Sequence, residues 1–591
     1  MAAKGVTALS SLAFALALLA LSAAPAAASP GDWTMYGGSA SHGFSNAAAP
    51  PDRLGLVWSL AGNATLGSAV EVDGFVYVGD IDGTAPAAGP HLVVHKLVES
   101  NGSEETGVGG WTSRLPIPGA ASLAPPRSLA VDGGRVFALV TANLTASDEY
   151  REALVALDAA TGARLWTFES AATWTSAAPN ATRSAPVASG GVVVFGGQDG
   201  NGTVYAVNAT GGLAWSYPTG APVRTVPAIV GDVVYVASGT NLSYLDLQGL
   251  ADGDSGPPES GAWTGDLLLA VDAGAPLEAS PVIAGSTLFL EVAAETWALD
   301  ADLGSVPLWT HATASGSAGT PATLGASLFV RRSDGRVVGL DAATGEILWV
   351  RAGLPAPVGG EDMAAADGRL FLSARNGTAH DFLGLDASDG SVLWRHASAS
   401  GAGAPVVAGA KVLVAAGRAM FAFRGQPDLA VVPSDVSFAG GTVSGGIVRG
   451  NVTVAVRNEG DEPAGNVRVR IYDGAAAPDN LIGDLTLATA RAIAPDGRAT
   501  GTTPDRDWTV GRHELTIVVD RATTETDLSD NEVTALVYVQ AGPSPPPTVL
   551  GYGPAVFALV AGLLVGVAVL IVPVRRLRAL QRKEEPKPPA A

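Results

Sequence analysis

The chain has 591 residues, 35 basic against 56 acidic side chains for a formal charge of −21, and no cysteine. The missing thiols exclude a disulfide framework, thiolate zinc, iron–sulfur clusters, covalently attached haem of the c type, a cysteine nucleophile and a lipid-bearing cysteine. The acid excess repels phosphate backbones and argues against nucleic-acid partners, and 74 glycines with 39 prolines read as turn-rich β structure rather than helix.

Residues 1–28 read as a secretory signal peptide: Lys4, an apolar run from Val6 to Leu21, then small residues through Ala28 that suit cleavage. Beyond them a strand-like motif, a turn followed by alternating aliphatic and aromatic residues, occurs eight times. The copies begin at Asp73 (DGFVYVG), Gly133, Gly190, Gly231, Ala284, Gly325, Asp367 and Gly409 (GAKVLVA). From Val76 to Val412 the seven steps average 48 residues, the length of a four-stranded propeller blade.

A second motif of the LVALDAATG kind follows each first motif, and a tryptophan falls on the strand after it: Trp58, Trp111, Trp166, Trp215, Trp263, Trp309, Trp349 and Trp394. Asp158 to Trp166, Asp341 to Trp349 and Asp386 to Trp394 are each eight apart, which predicts a turn at Asp-Ala-X-X-Gly and an equivalent docking position for each indole. Trp263 is the least regular, because the stretch from Leu250 to Gly261 interrupts its repeat and LLLAVDAG from Leu267 competes as the third strand there. Trp58 precedes the first complete set, and no tryptophan follows the last set at Gly425. That phase offset predicts that Leu54 to Leu60 supplies the outermost strand of the last blade, whose inner strands lie between Val406 and Phe423.

The combination SPVIAG, LFL, ALD and LW, with DWTMYGGSASHGFSN ahead of the first repeat at Asp32 to Asn46, resembles the pyrroloquinoline-quinone-like (PQQ-like) β-propeller repeat family over about Asp32 to Gly425. The resemblance implies one eight-bladed ring (32–425). For activity it implies two alternatives: a quinoprotein dehydrogenase that binds quinone and calcium in the central funnel, or a cofactor-free scaffold such as the outer-membrane-protein assembly-factor propeller. The adjacent cysteines that alcohol-oxidising members use are absent, and no carboxylate matches a functional position of the family.

Other chemistry is sparse. The acidic turns at Asp80, Asp199, Asp252 and Asp300 carry His91, Thr210, Trp263 and His311 where a calcium loop needs glutamate, so they read as blade turns, as does the cluster Asp527, Asp530 and Glu532. His91 and His95 flank LVV, and strand spacing separates their rings by roughly 13 Å, too far to share a metal. No catalytic residue, metal ligand or cofactor is expected. Nine Asn-X-Ser/Thr sequons, at Asn63, Asn101, Asn143, Asn180, Asn201, Asn208, Asn241, Asn376 and Asn451, predict an exported glycoprotein.

From Pro427 the pattern changes. PDLAVVPSDVSF, NVTVAVRNEGDEPAGNVRVRIYDG and GRHELTIVVDRATTETDLSDNEV resemble a CARDB-type immunoglobulin-like sandwich (427–541). Val452, Val454 and Val456 alternate, as do Val467, Val469 and Ile471, which predicts a half-buried hairpin across Asn458 to Gly460. A Pro-rich stalk (542–553) leads to an uncharged run (554–574) long enough for a transmembrane helix, and a basic tail (575–591) places the C-terminus in the cytoplasm. Gly562 and Gly566 form a GxxxG pair suited to helix dimerisation. The whole predicts an all-β ectodomain, propeller plus sandwich, held at the cell membrane by one helix. It is expected to bind surface protein or glycan partners without catalysis; the alternatives are a quinoprotein dehydrogenase oxidising an alcohol or sugar, and an envelope protein-assembly scaffold.

Overall fold

The computed structural model describes residues 32–540 apart from short internal stretches, of which 249–266 and 521–529 are the longest. The leader, the stalk, the apolar run with Gly562 and Gly566, and the basic tail lie outside the described residues. Among the described residues no helix is long and apolar enough to cross a membrane, and the helical elements are two single 3-10 turns, Pro433–Asp435 and Pro478–Asn480. The chain divides into two units between Gln426 and Pro427.

The first unit is all-β and of propeller type. Each repeat is an antiparallel meander; in the third, Val187–Ser189, Val192–Gly196, Thr203–Asn208 and Leu213–Pro218 pair in sequence order. Val192–Gly196 is buried along its whole length, as a strand covered on both faces must be. The described residues form eight such sheets, the second with an extra strand Ala120–Ala124 on Arg135–Leu144, numbered 1 to 8 by their innermost strands: Val70–Val72, Leu129–Asp132, Val187–Ser189, Ala228–Val230, Val282–Ala284, Ala322–Leu324, Ala364–Ala366 and Val406–Ala408. Sheet 8 takes its outermost strand from the far end of the unit, Gly55–Ala61 pairing antiparallel with Ala419–Arg424. Pairing first strand with last leaves no open sheet at the seam.

The seven repeat tryptophans among the described residues stand on the outermost strands, and each indole N–H donates to a carbonyl between the third and outermost strands of the next sheet. Trp58 bonds Glu99 at 2.8 Å, Trp111 bonds Ala159 at 3.1 Å, Trp166 bonds Ala209 at 3.0 Å and Trp215 bonds Leu247 at 2.8 Å. Trp309 bonds Ala342 at 3.1 Å and Trp349 bonds Ala387 at 2.9 Å. Trp394 of sheet 7 bonds Leu54 at 2.7 Å, just ahead of Gly55–Ala61, so the series runs on through the seam. The turn beneath the Trp309 indole is shaped by Asp341, whose carboxylate accepts the amides of Ala343 at 3.0 Å and Thr344 at 2.9 Å. It closes at Gly345, whose φ of +73° and lack of a side chain let the Trp309 ring lie where a Cβ would sit 2.5 Å away.

Sheet 4 departs from the pattern. Trp263 lies outside the described residues, and Leu269 holds the tryptophan's register position, opposite Tyr244 as Trp349 is opposite Gly339. The run from Leu267 is the outermost strand, Leu267–Asp272, not the third: Asn241–Asp246 already fills that place. Two tyrosines supply the missing tie to sheet 5, with the Tyr235 hydroxyl donating to Ala301 at 2.9 Å and the Tyr244 hydroxyl to Gly304 at 2.8 Å.

The second unit has two antiparallel sheets around one core. Ile447–Asn458 pairs with Val436–Ser444 and Arg498–Thr502 in one, and Val467–Asp473 pairs with Leu481–Leu487 and Gly511–Val519 in the other. The hairpin expected across Asn458 to Gly460 is therefore corrected: Ile447–Asn458 and Val467–Asp473 belong to different sheets. Their alternating residues Val452, Val454, Val467 and Val469 meet in the shared core with Trp508 and Ile517. Alternation reports that one face of a strand is buried; it does not report which strand lies beside it.

Candidate functional site at the propeller axis

An innermost strand exposes a row of backbone amides toward the axis, and buried amides require partners. The stretch ahead of the first repeat supplies them. Trp33 exchanges two backbone hydrogen bonds with Glu71 of sheet 1, at 2.9 and 2.8 Å, and the Val131 amide of sheet 2 donates to Thr34 at 2.8 Å. Further along, amides of sheets 4, 5, 6 and 7 donate in turn: Ile229 to Ala40 at 2.7 Å, Ile283 to Ser41 at 2.9 Å, Thr323 to Gly43 at 2.9 Å and Ala365 to Phe44 at 2.7 Å. The Asn46 side chain reaches Val407 of sheet 8 at 2.6 Å. Residues 33–46 thus visit the innermost strands in chain order.

Their side chains fill the centre. Trp33, Tyr36, His42 and Phe44 are buried, and Tyr36 meets His42 and Phe44 edge-on at centroid distances of 5.2 and 5.0 Å. His42 Nδ1 lies 3.3 Å from the Pro281 carbonyl, and its Nε2 has no partner among the described residues. Burial holds this imidazole down at about 3, with the Pro281 carbonyl opposing.

At one end of the axis the Tyr36 hydroxyl donates to Asp362 at 2.6 Å, lies 3.0 Å from Thr320 Oγ1, and accepts from Arg127 Nη2 at 2.6 Å. The Arg127 guanidinium covers the Tyr36 ring at 4.5 Å. It pairs with Asp362 at 3.3 Å, and Asp362 also accepts the Thr320 amide at 2.7 Å. Burial drives the Tyr36 phenol far above its ordinary value, the nearby Arg127 charge opposing it. Arg127, Thr320 and Asp362 precede the innermost strands of sheets 2, 6 and 7, so the cluster clasps opposite parts of the unit over a tyrosine that none of those sheets contains.

A quinone with calcium would need an open funnel and free oxygen ligands. Here the axis holds aromatic side chains of the chain itself, and the Asp362 carboxylate is engaged by three donors. Among the described residues no group of three or more metal-ligating side chains occurs. The axial residues do not fit that pair.

The sequence-derived candidates lie elsewhere. Asn63, Asn101 and Asn201 are exposed, and Asn143, Asn208, Asn241 and Asn451 are half-buried. Asn376 ends a strand, and Asn180 lies outside the described residues. The side-chain amide of Asn63 donates to Asp80 at 3.1 Å and that of Asn451 to Asp505 at 2.8 Å. Asp80, expected in a turn, lies instead within the strand Phe75–Asp82 and accepts the amides of Asn63, Ala64 and Ile81, whereas Asp199 caps its own turn by accepting those of Asn201 and Thr203. His95 sits 2.5 Å from Glu104 and 3.8 Å from Asp80. Burial pushes its pKa down, but the two carboxylates outweigh it and hold it at about 9. The axial cluster was missed from sequence. Its only signal there is aromatic residues set among glycines and serines ahead of the first repeat.

The family model described as outer membrane protein assembly factor BamB matches residues 151–256 and 258–423. No curated protein matches the chain. Among solved structures, BamB from Moraxella catarrhalis is 17% identical over 63% of this chain and 98% of its own, with a TM-score of 0.43. The quinohemoprotein alcohol dehydrogenase ADHIIG from Pseudomonas putida HK5 is 14% identical over 67% of this chain and 80% of its own, at 0.49. That from Comamonas testosteroni is 14% identical over 67% and 81%, also at 0.49. With the order of its sheets, the family match makes the first unit a propeller-type fold whose repeats are similar to the PQQ-like repeats of the BamB model.

Proposed function

We propose that the chain is a cell-surface protein whose eight-bladed propeller binds protein or glycan partners without catalysis. In this reading a CARDB-type immunoglobulin-like sandwich spaces it from a single membrane helix. The observation that carries it is the filled axis: residues 33–46 occupy the place where a cofactor-dependent relative would hold its chemistry, and Asp362 is already bonded to Arg127, Tyr36 and Thr320. The eight sheets and the ties that run through the seam support the blade count. Two sheets around one core support the sandwich.

An envelope-assembly scaffold is the second reading, favoured by the family model's match to residues 151–256 and 258–423. Cross-linking in intact cells separates the two: capture of membrane-assembly components supports the scaffold, and capture of surface proteins or glycans supports the adhesion reading. Purified ectodomain that bound quinone stoichiometrically and reduced a dye with alcohol or sugar would overturn both. Export is tested by mapping the nine sequons, and finding all nine bare in protein from its native source would count against it.

A further inference from the structure

The inner edge of the propeller is occupied as a peptide-binding site would be. Backbone bonds from residues 33–46 reach the innermost strands of six of the eight sheets among the described residues, and the Asn46 side chain reaches a seventh. Such edge pairing supplies affinity without reading sequence. Side chains then supply selectivity, because Trp33, Tyr36 and Phe44 are buried and the Tyr36 hydroxyl enters a prebuilt acceptor and donor set made by Asp362, Thr320 and Arg127.

The segment also has a fixed shape of its own. The Phe44 amide donates back to Gly37 at 2.9 Å, and Gly37, with φ of +73°, faces His42 so closely that a Cβ would stand 2.7 Å from its Cα. His42 and Phe44 hold left-handed backbone at φ of 57° and 50°, a strain that persists only where the surroundings enforce it.

From these contacts we infer that the propeller axis is a binding site for a turn-forming, aromatic- and glycine-bearing peptide. Its resident ligand is the chain's own turn-rich segment 33–46, held by non-covalent contacts rather than by its connection to the rest of the chain. Buried amides at the inner edges make vacancy costly, so the occupied state is the stable one. The same stretch then continues into Gly55–Ala61, the outermost strand of sheet 8, so one N-terminal arm both fills the axis and completes the seam.

The test uses the full chain with a protease site inserted between Ala48 and Leu54. After native cleavage the N-terminal fragment is expected to co-elute with the remainder on gel filtration and to leave only when the propeller unfolds. In the same background, Tyr36→Phe removes the hydroxyl that meets Asp362 and Arg127, and release is expected to quicken roughly tenfold. A labelled synthetic peptide spanning residues 32–48 should rebind remainder from which the fragment has been stripped, and the peptide with Tyr36 and Phe44 replaced by alanine should not. Free elution of the fragment under native conditions, whether or not the remainder keeps its circular dichroism, would overturn the inference. Equal retention of both peptides would overturn it too.

Discussion

Replacing Trp215 by phenylalanine isolates the contribution of one inter-sheet tie. Trp215 is fully buried, and its indole N–H is the donor to the Leu247 carbonyl at 2.8 Å. Phenylalanine leaves that carbonyl without its donor where water cannot reach it, a loss of about 1–3 kcal/mol. The smaller ring also forfeits packing worth about 1 kcal/mol, so the expected destabilisation is roughly 2–4 kcal/mol. Trp349→Phe breaks the equivalent bond to Ala387, but that tie is only partly buried and water can replace the donor; about 1 kcal/mol is expected there. Tyr235→Phe should also lose about 1 kcal/mol, because the Ala301 carbonyl keeps the Leu303 amide at 3.1 Å. Urea unfolding followed by far-ultraviolet circular dichroism gives all three values. If Trp215→Phe unfolds with the wild type, or no earlier than Trp349→Phe does, the ties do not carry the load assigned to them.

Burial holds the Glu152 carboxyl up at about 8, so the folded state keeps a proton that the unfolded chain releases near 4.5. Stability from that proton is complete below about 4.5 and lost as pH rises through about 8; Glu152→Gln, which preserves the acceptor for Gln198, should flatten urea midpoints across that window. His42 behaves in the opposite sense. Held neutral down to about 3, it withdraws stability as pH falls below about 6.5, and His42→Phe should move the acid-unfolding midpoint to lower pH. Gly345→Ala combines left-handed backbone with a clash against Trp309, whereas Gly285→Ala, at φ of +61°, meets nothing within 4 Å. Thermal melts should rank the first clearly below the second, by about 1–2 kcal/mol on conversion.

Much of the first unit was legible because its contacts repeat. Gly-led strand starts, Asp-capped turns and tryptophans recur with one spacing, and the phase between Trp58 and Gly425 already placed Gly55–Ala61 in the last sheet. Sheet 4 broke the pattern where chemistry was conserved but residue type was not. A tyrosine hydroxyl two strands in from the outermost strand does what the indole does elsewhere, and no spacing rule anticipates that. In the second unit, alternation identified the buried faces of Ile447–Asn458 and Val467–Asp473 correctly and misassigned them as partners. Strand pairing is a choice among edges that a period of two does not encode.

By itself the sequence determined the repeat, the strand order of the regular sheets of the first unit, the seam, and the absence of thiol chemistry, since each depends on local patterns or on composition. Only the tertiary structure decided what lies on the axis. Residues 33–46 draw each backbone partner from a different sheet, with hundreds of residues separating Tyr36 from Thr320 and Asp362. A segment whose anchoring contacts come from the surrounding sheets carries no period of its own, and its role exists only once the sheets surround it.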